Sequence, residues 1–147
     1  MKTVNEMKLS FISKSANESF ARSAVAAFLL PLDPTVAEIA DVKTAVSEAV
    51  TNAVVHAYPD TFGTVIIEAK LTDKGHAVIK IRDRGVGIPD VKQAMEPLYT
   101  TSTDERAGLG FAMMQSFMDS VRVRSTVGKG TTVTLEKNFI RTAYGQK

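Results

Sequence analysis

The sequence has no cysteine, no tryptophan and only two histidines, His56 and His76. Without cysteine there can be no disulfide scaffold, no thiolate zinc site and no cysteine nucleophile. The absence also suits a reducing compartment. Two histidines are too few for a histidine-rich metal site. Long apolar runs are missing as well. The longest, Ala24 to Leu30, has seven residues and stops at Pro31, whereas a membrane helix needs about 20. The opening Met1-Lys2-Thr3-Val4-Asn5-Glu6 lacks the apolar centre of a signal peptide. Nor is there an excess of one charge. Eighteen Lys and Arg face sixteen Asp and Glu, a net charge of +2. A nucleic-acid binder usually shows a dense basic face. The expectation is a soluble, cytoplasmic protein with no membrane contact and no direct nucleic-acid partner.

What is present is ordinary globular composition: 44% apolar and 23% charged residues, with nine glycines and five prolines. The 147 residues predict one domain over 1–147. A chain of this size buries about 70% of its unfolded surface without a metal or disulfide staple.

Alternation of Met7, Leu9 and Phe11 with polar neighbours predicts a strand over 7–13. A helix follows to about Leu30, with Ser15 and Glu18 as a capping box and Phe20, Ala24, Ala27 and Phe28 as its apolar stripe. A second helix starts near Asp33-Pro34-Thr35, with Pro34 at its first position and Thr35 and Glu38 as another capping box. Ile39, Val42, Val46, Ala49, Val50 and Ala53 recur at helical spacing, and Tyr58-Pro59-Asp60 ends the pattern. Val65 to Thr72 and Ala77 to Asp83 read as a hairpin. A short helix is expected near 90–95 and a third long one over 108–119. Ser120 to Thr126 and Thr131 to Phe139 form a closing strand pair. The predicted fold class is α/β: a two-layer sandwich with a mixed or mostly antiparallel sheet and helices on one face.

Three stretches carry possible chemistry. Glu48, Asn52 and His56 are four apart, so they stack on one helix face beside the apolar stripe. Either they are the polar border of that helix, or Glu48 takes a proton and Asn52 binds a metal through its oxygen. Asp83-Arg84-Gly85-Val86-Gly87 closes a strand. By alternation Asp83 faces the helices, where its carboxylate can accept from an amine such as that of adenine. Gly85 and Gly87 remove Cβ atoms that would keep a flat ligand off the backbone; a plain tight turn is the alternative. Arg106-Ala107-Gly108-Leu109-Gly110 leads into a helix, where free amides can cradle phosphate oxygens. It is neither a P-loop nor the usual dinucleotide fingerprint. The polar stretch 96–107 before it reads as a lid or a surface loop. Thr131 shares parity with Val133 and Leu135 and so faces the same side as Asp83.

In this order the motifs resemble the GHKL ATPase superfamily. Glu48 and Asn52 match its E-x-x-x-N box, Asp83, Gly85 and Gly87 its D-x-G-x-G box, and Gly108 and Gly110 its G-x-G box. Within that superfamily the chain is similar to the anti-sigma factor serine kinases, on Glu18 to Arg22, Ser47 to Tyr58, Arg82 to Asp90, Pro97 to Thr101 and Lys129 to Val133. The resemblance implies a Bergerat-type ATP-binding fold. It implies ATP or ADP and Mg²⁺ as cofactors and transfer of phosphate to a serine of an anti-anti-sigma protein. It also implies a homodimer that holds a sporulation sigma factor. Glu48 would be the general base and Arg106 would stabilise the transferring phosphoryl group. Asn52 would ligate Mg²⁺. Nucleotide contacts are implied at Asn52, His56, Asp83, Gly85, Gly87, Thr101, Gly108, Leu109, Gly110, Thr131 and Thr132. Arg22 would belong to the partner-binding surface. The alternative is a nucleotide-regulated sigma-binding module with little kinase activity. A sensor histidine kinase fragment would need a phospho-acceptor histidine on an upstream helical hairpin, and His56 and His76 are not placed for that.

Overall fold

The computed structural model describes residues 2–96 and 110–139. In chain order it has β1 (Thr3–Ile12), α1 (Ala16–Leu29), α2 (Val36–Asn52), β2 (Thr64–Thr72), β3 (His76–Asp83), the single turn α3 (Val91–Ala94), α4 (Gly110–Phe117), β4 (Ser120–Thr126) and β5 (Gly130–Asn138). The strands form one sheet in the order β1-β2-β3-β5-β4, and every neighbouring pair is antiparallel. Helices α1, α2 and α4 pack together as the second layer, against one face of the sheet. The expected two-layer sandwich is the fold observed.

The sheet's inner face follows its sequence alternation. Val65, Ile67, Ala69 and Leu71 on β2 and Ala77, Ile79 and Ile81 on β3 are buried, and Val133 and Leu135 continue the surface on β5. Against it lie Val42, Val46 and Val50 of α2 and Phe111 and Met114 of α4. Burial of each such side chain contributes about 1.5–3 kcal/mol relative to exposure. The outer face carries Lys8, Glu68, Lys80, Arg82, Arg122 and Arg124, because a period of two sends alternate residues outward.

Helix α2 begins as expected. Thr35 is extended (φ −71°, ψ 164°), its hydroxyl accepts from Glu38 N–H, and the Glu38 carboxylate accepts from Thr35 N–H. Pro34 therefore precedes the cap rather than opening the helix. Helix α1 departs from expectation at its start. Ser15 already has helical dihedrals (φ −57°, ψ −30°) and makes no side-chain cap, whereas a capping hydroxyl needs an extended residue. Glu18, freed from that role, pairs with Arg22 at 3.1 Å. The buried stripe of α1 is also rotated. Ala21, Val25 and Leu29 are fully buried, whereas Phe20 is 53% exposed and rests edge-on against Phe11. The run Ala24 to Leu30 is apolar nearly all round, so its period does not select a face; the fit of Ala21 and Val25 against the helix layer does. Strand β1 starts four residues earlier than the alternation indicated, because Thr3 to Glu6 pair with the end of β2 despite their exposure.

Helix α2 does not stop at Asn52. It runs on as a π-helical turn, Ala53–Ala57, before Tyr58. Such wider turns are uncommon and recur at functional sites.

Candidate functional site

The inner face of the sheet ends in a carboxylate. Asp83 is the last residue of β3 and follows Ile79 and Ile81 onto the helix side. Its Oδ1 accepts from Gly85 N–H at 2.9 Å and from Thr131 N–H at 3.2 Å. Its Oδ2 accepts no hydrogen bond among the described residues, so one oxygen is anchored and the other is open. Burial raises the Asp83 pKa from its ordinary value, and the two amide bonds oppose that rise. A fixed acceptor at a strand end, half withdrawn from water, suits an N–H donor such as an aromatic amine.

The neighbouring residues fix Asp83 rather than crowd it. Thr131 Oγ1 lies 2.8 Å from Ser125 Oγ, and Ser125 Oγ in turn accepts from Ile88 N–H at 2.7 Å. Ser125 thus ties β4, β5 and the loop after β3 together. The sequence reading did not single it out. Its signal was there: Val121, Val123 and Ser125 alternate onto the inner face opposite Leu135, Val133 and Thr131. Thr132 lies in the other row, between Arg82 and Arg124, and so faces the outer side of the sheet. Of the two threonines only Thr131 shares a face with Asp83.

Gly85 and Gly87 have a different occupation from the expected one. A Cβ on Gly85 would overlap the Ala57 carbonyl, against which the loop is pinned by Val86 N–H to Ala57 O at 2.9 Å. Gly87 has φ +78°, and a Cβ there would meet the Thr126 backbone. The space their missing side chains leave is filled by protein backbone. It seats the loop on the end of the π turn and on β4, and so holds Asp83 in place.

The second part of the site is a groove along α2 of about 600 Å³. Glu48, Asn52 and His56 line it on successive turns, together with Met113 of α4 and Arg22 of α1. Gly110 brings α4 against the α2 carboxylate. A Cβ there would sit 3.3 Å from Glu48 Oε2 and 3.4 Å from Asn52 Oδ1, so the lack of a side chain sets how closely the two helices approach. The four-residue spacing therefore does place the polar trio in one cavity. His56, on the π turn, is half-buried, and desolvation lowers its pKa from 6.5, which favours neutral imidazole.

A protein-family model, the histidine kinase-like ATPase domain, matches residues 13–137. The chain belongs to this ATPase family. Among curated relatives, the anti-sigma F factor of Caldanaerobacter subterraneus is 56% identical over 90% of this chain and 93% of its own length. That of Clostridium novyi is 56% identical over 92% of this chain and 95% of its own. These similarities place the protein in the anti-sigma factor branch. Among solved structures, the RsbU and RsbW domains of a Mycobacterium tuberculosis protein share the fold at a TM-score of 0.66 and 21% identity, over 92% of this chain and 32% of that longer one. A blue-light-activated histidine kinase domain from Erythrobacter litoralis does so at a TM-score of 0.56 and 17% identity, over 86% of this chain and 63% of that one.

The residues suit the ligands of an ATPase domain. Asp83 keeps one open acceptor, and Gly110 brings the start of α4 to the α2 carboxylate and amide. Among the described residues no group of three or more His, Asp or Glu could hold a metal. Mg²⁺ needs only one or two protein ligands beside phosphate and water, and Asn52, which lines the groove beside Gly110, is of a type that could supply one. Thr101, Arg106, Gly108 and Leu109 lie outside the described residues. No helix among those described is long and apolar enough to cross a membrane.

Proposed function

We propose that the protein is an anti-sigma factor and an ATP-dependent protein serine kinase. It binds and inhibits a sporulation sigma factor, sigma F, and phosphorylates a serine of an anti-anti-sigma protein, acting as a cytoplasmic homodimer. The relatives' name, anti-sigma F factor, supports the sigma factor partner. The observation that carries the enzymatic reading is the common groove of Glu48, Asn52 and Arg22. A module that only binds nucleotide needs no carboxylate beside the helix start where phosphates would sit.

In this reading Asp83 Oδ2 accepts from the adenine amine of ATP or ADP. Glu48 takes the proton from the partner's serine hydroxyl. The serine oxygen bonds to the γ-phosphorus, and the bond from that phosphorus to the departing ADP oxygen breaks. Asn52 Oδ1 would hold Mg²⁺, which would supply charge neutralisation at the phosphates. Neutral His56 adds no charge beside the phosphates. The amides of Gly108, Leu109 and Gly110 hold phosphate oxygens, Thr101 adds a hydroxyl to them, and Arg106 balances charge on the group in transfer. Arg22, on α1, receives the partner.

The test is transfer of labelled γ-phosphate to a purified anti-anti-sigma protein by wild type and by Glu48→Gln. Label on a serine that falls about 10²–10⁴-fold in the variant, with ATP binding kept, supports the base. Absence of label together with ATP-dependent capture of sigma factor would favour a nucleotide-regulated binding module. Neither label nor nucleotide binding overturns the reading.

A further inference from the structure

The end of the sheet beside Asp83 carries cations on its outer face that the proposed nucleotide contacts do not use. Arg82, Thr132 and Arg124 are cross-strand neighbours in one row on β3, β5 and β4. Arg84 and Lys129 close the strand ends beside them, and together they line a concavity of about 380 Å³. Arg82 is already engaged, at 2.8 Å from Glu68. Arg84, Arg124 and Lys129 are exposed and make no ion pair among the described residues.

We propose that this concavity docks an extended acidic segment of a protein partner, read through its carboxylates. Arg82 and Arg124 stand two strands apart, so their stems are separated by about 10 Å. A single phosphate needs donors that converge within hydrogen-bond distance. Cations spread this far instead match separate carboxylates along an extended chain, whose alternate residues stand about 7 Å apart and leave the long Arg side chains to span the remainder. A nucleic-acid track would need several phosphate contacts in line, and Glu68 and Glu136 interrupt the outer face with negative charge. Arg82, Thr132 and Arg124 face the outer side of the sheet, Asp83, Ser125 and Thr131 line the inner rim of the same concavity, and Glu48 lies in the separate groove along α2. This inference does not depend on the kinase reading.

The probe is a fluorescent oligoglutamate peptide, followed by anisotropy at low salt with the full chain. Arg84→Glu/Arg124→Glu is compared with Lys8→Glu/Lys70→Glu, which makes the same change of charge on the same face beside β1. Melting temperature and ATP affinity serve as folding controls. The expected result is about tenfold weaker peptide binding in the first pair and less than about twofold in the second. Equal losses in both pairs, unchanged binding in the first pair, or no binding by wild type would overturn the proposal. So would tighter binding of an oligothymidylate at the same residues, which would assign the patch to nucleic acid.

Discussion

Asp83 and Glu48 are the two carboxylates of the site, and they are held in opposite ways. Asp83 ends a central strand with one oxygen tied to two backbone amides, so its position is set by the sheet. Glu48 projects from the middle of a helix into a groove of about 600 Å³ that side chains of α1 and α4 also line. A group fixed by backbone suits recognition, because it costs nothing to organise when the ligand arrives. A group in a roomy groove suits an acceptor that must meet a hydroxyl brought by another protein. In the proposed function this difference would separate binding from transfer across the two layers of one small fold.

The strongest break in that comparison is Glu48→Gln, for which the transfer loss of about 10²–10⁴-fold should leave melting temperature within a few degrees. Gly85→Ala should act on the other carboxylate through structure. Its Cβ meets the Ala57 carbonyl, so the loop must lift from the π turn, at a cost of about 1–3 kcal/mol in stability by thermal or urea unfolding. If Gly85→Ala left both stability and ATP affinity intact, the loop would not be what holds Asp83. Arg22→Ala removes a partly exposed i,i+4 pair with Glu18 worth about 0.3–0.5 kcal/mol. It should leave ATP affinity unchanged and weaken partner capture, measured by titration calorimetry; unchanged capture would detach Arg22 from the partner surface.

The smallest effect is on pH dependence. The folded state lowers the His56 pKa below 6.5 by desolvation. The stability tied to neutral His56 is therefore full above pH 6.5 and is lost as pH falls from there through the folded value. His56→Gln should flatten that part of the acid unfolding profile, and an unchanged profile would contradict the burial. Asp83 has the opposite sign. Its folded pKa is raised, so its contribution is present below the ordinary carboxylate value and is lost as pH rises through the folded one. Asp83→Asn keeps an Oδ1 acceptor for Gly85 and Thr131 and should be no less stable than wild type at pH 7.

The sheet was legible because alternation is strict where one face is buried. The rows from Val65 to Asp83 and the inward turn of Asp83 follow from parity alone. The ordered motif boxes pointed to the ATPase family, whose model matches residues 13–137. What was not legible depends on partners in space. The face of α1 was misassigned because Ala24 to Leu30 is apolar on every side. The Ser15 cap failed because Ser15 is already helical. Gly85 and Gly87 looked like room for a ligand, and only the packed structure shows the Ala57 and Thr126 backbones in that room. Ser125 went unnoticed because a serine at a strand end is common, and its tie to Thr131 and Ile88 exists only across strands.

The most direct test of the division between the two carboxylates measures ATP affinity and single-turnover phosphoryl transfer in parallel, for Asp83→Asn and Glu48→Gln. The account predicts that Asp83→Asn binds ATP at least about tenfold more weakly yet transfers phosphate at a near-normal rate once saturated, because one lost recognition bond costs about 1.5–3 kcal/mol. Glu48→Gln should bind normally and fail to transfer. Loss of both properties in both variants, or normal ATP affinity in Asp83→Asn, would contradict it.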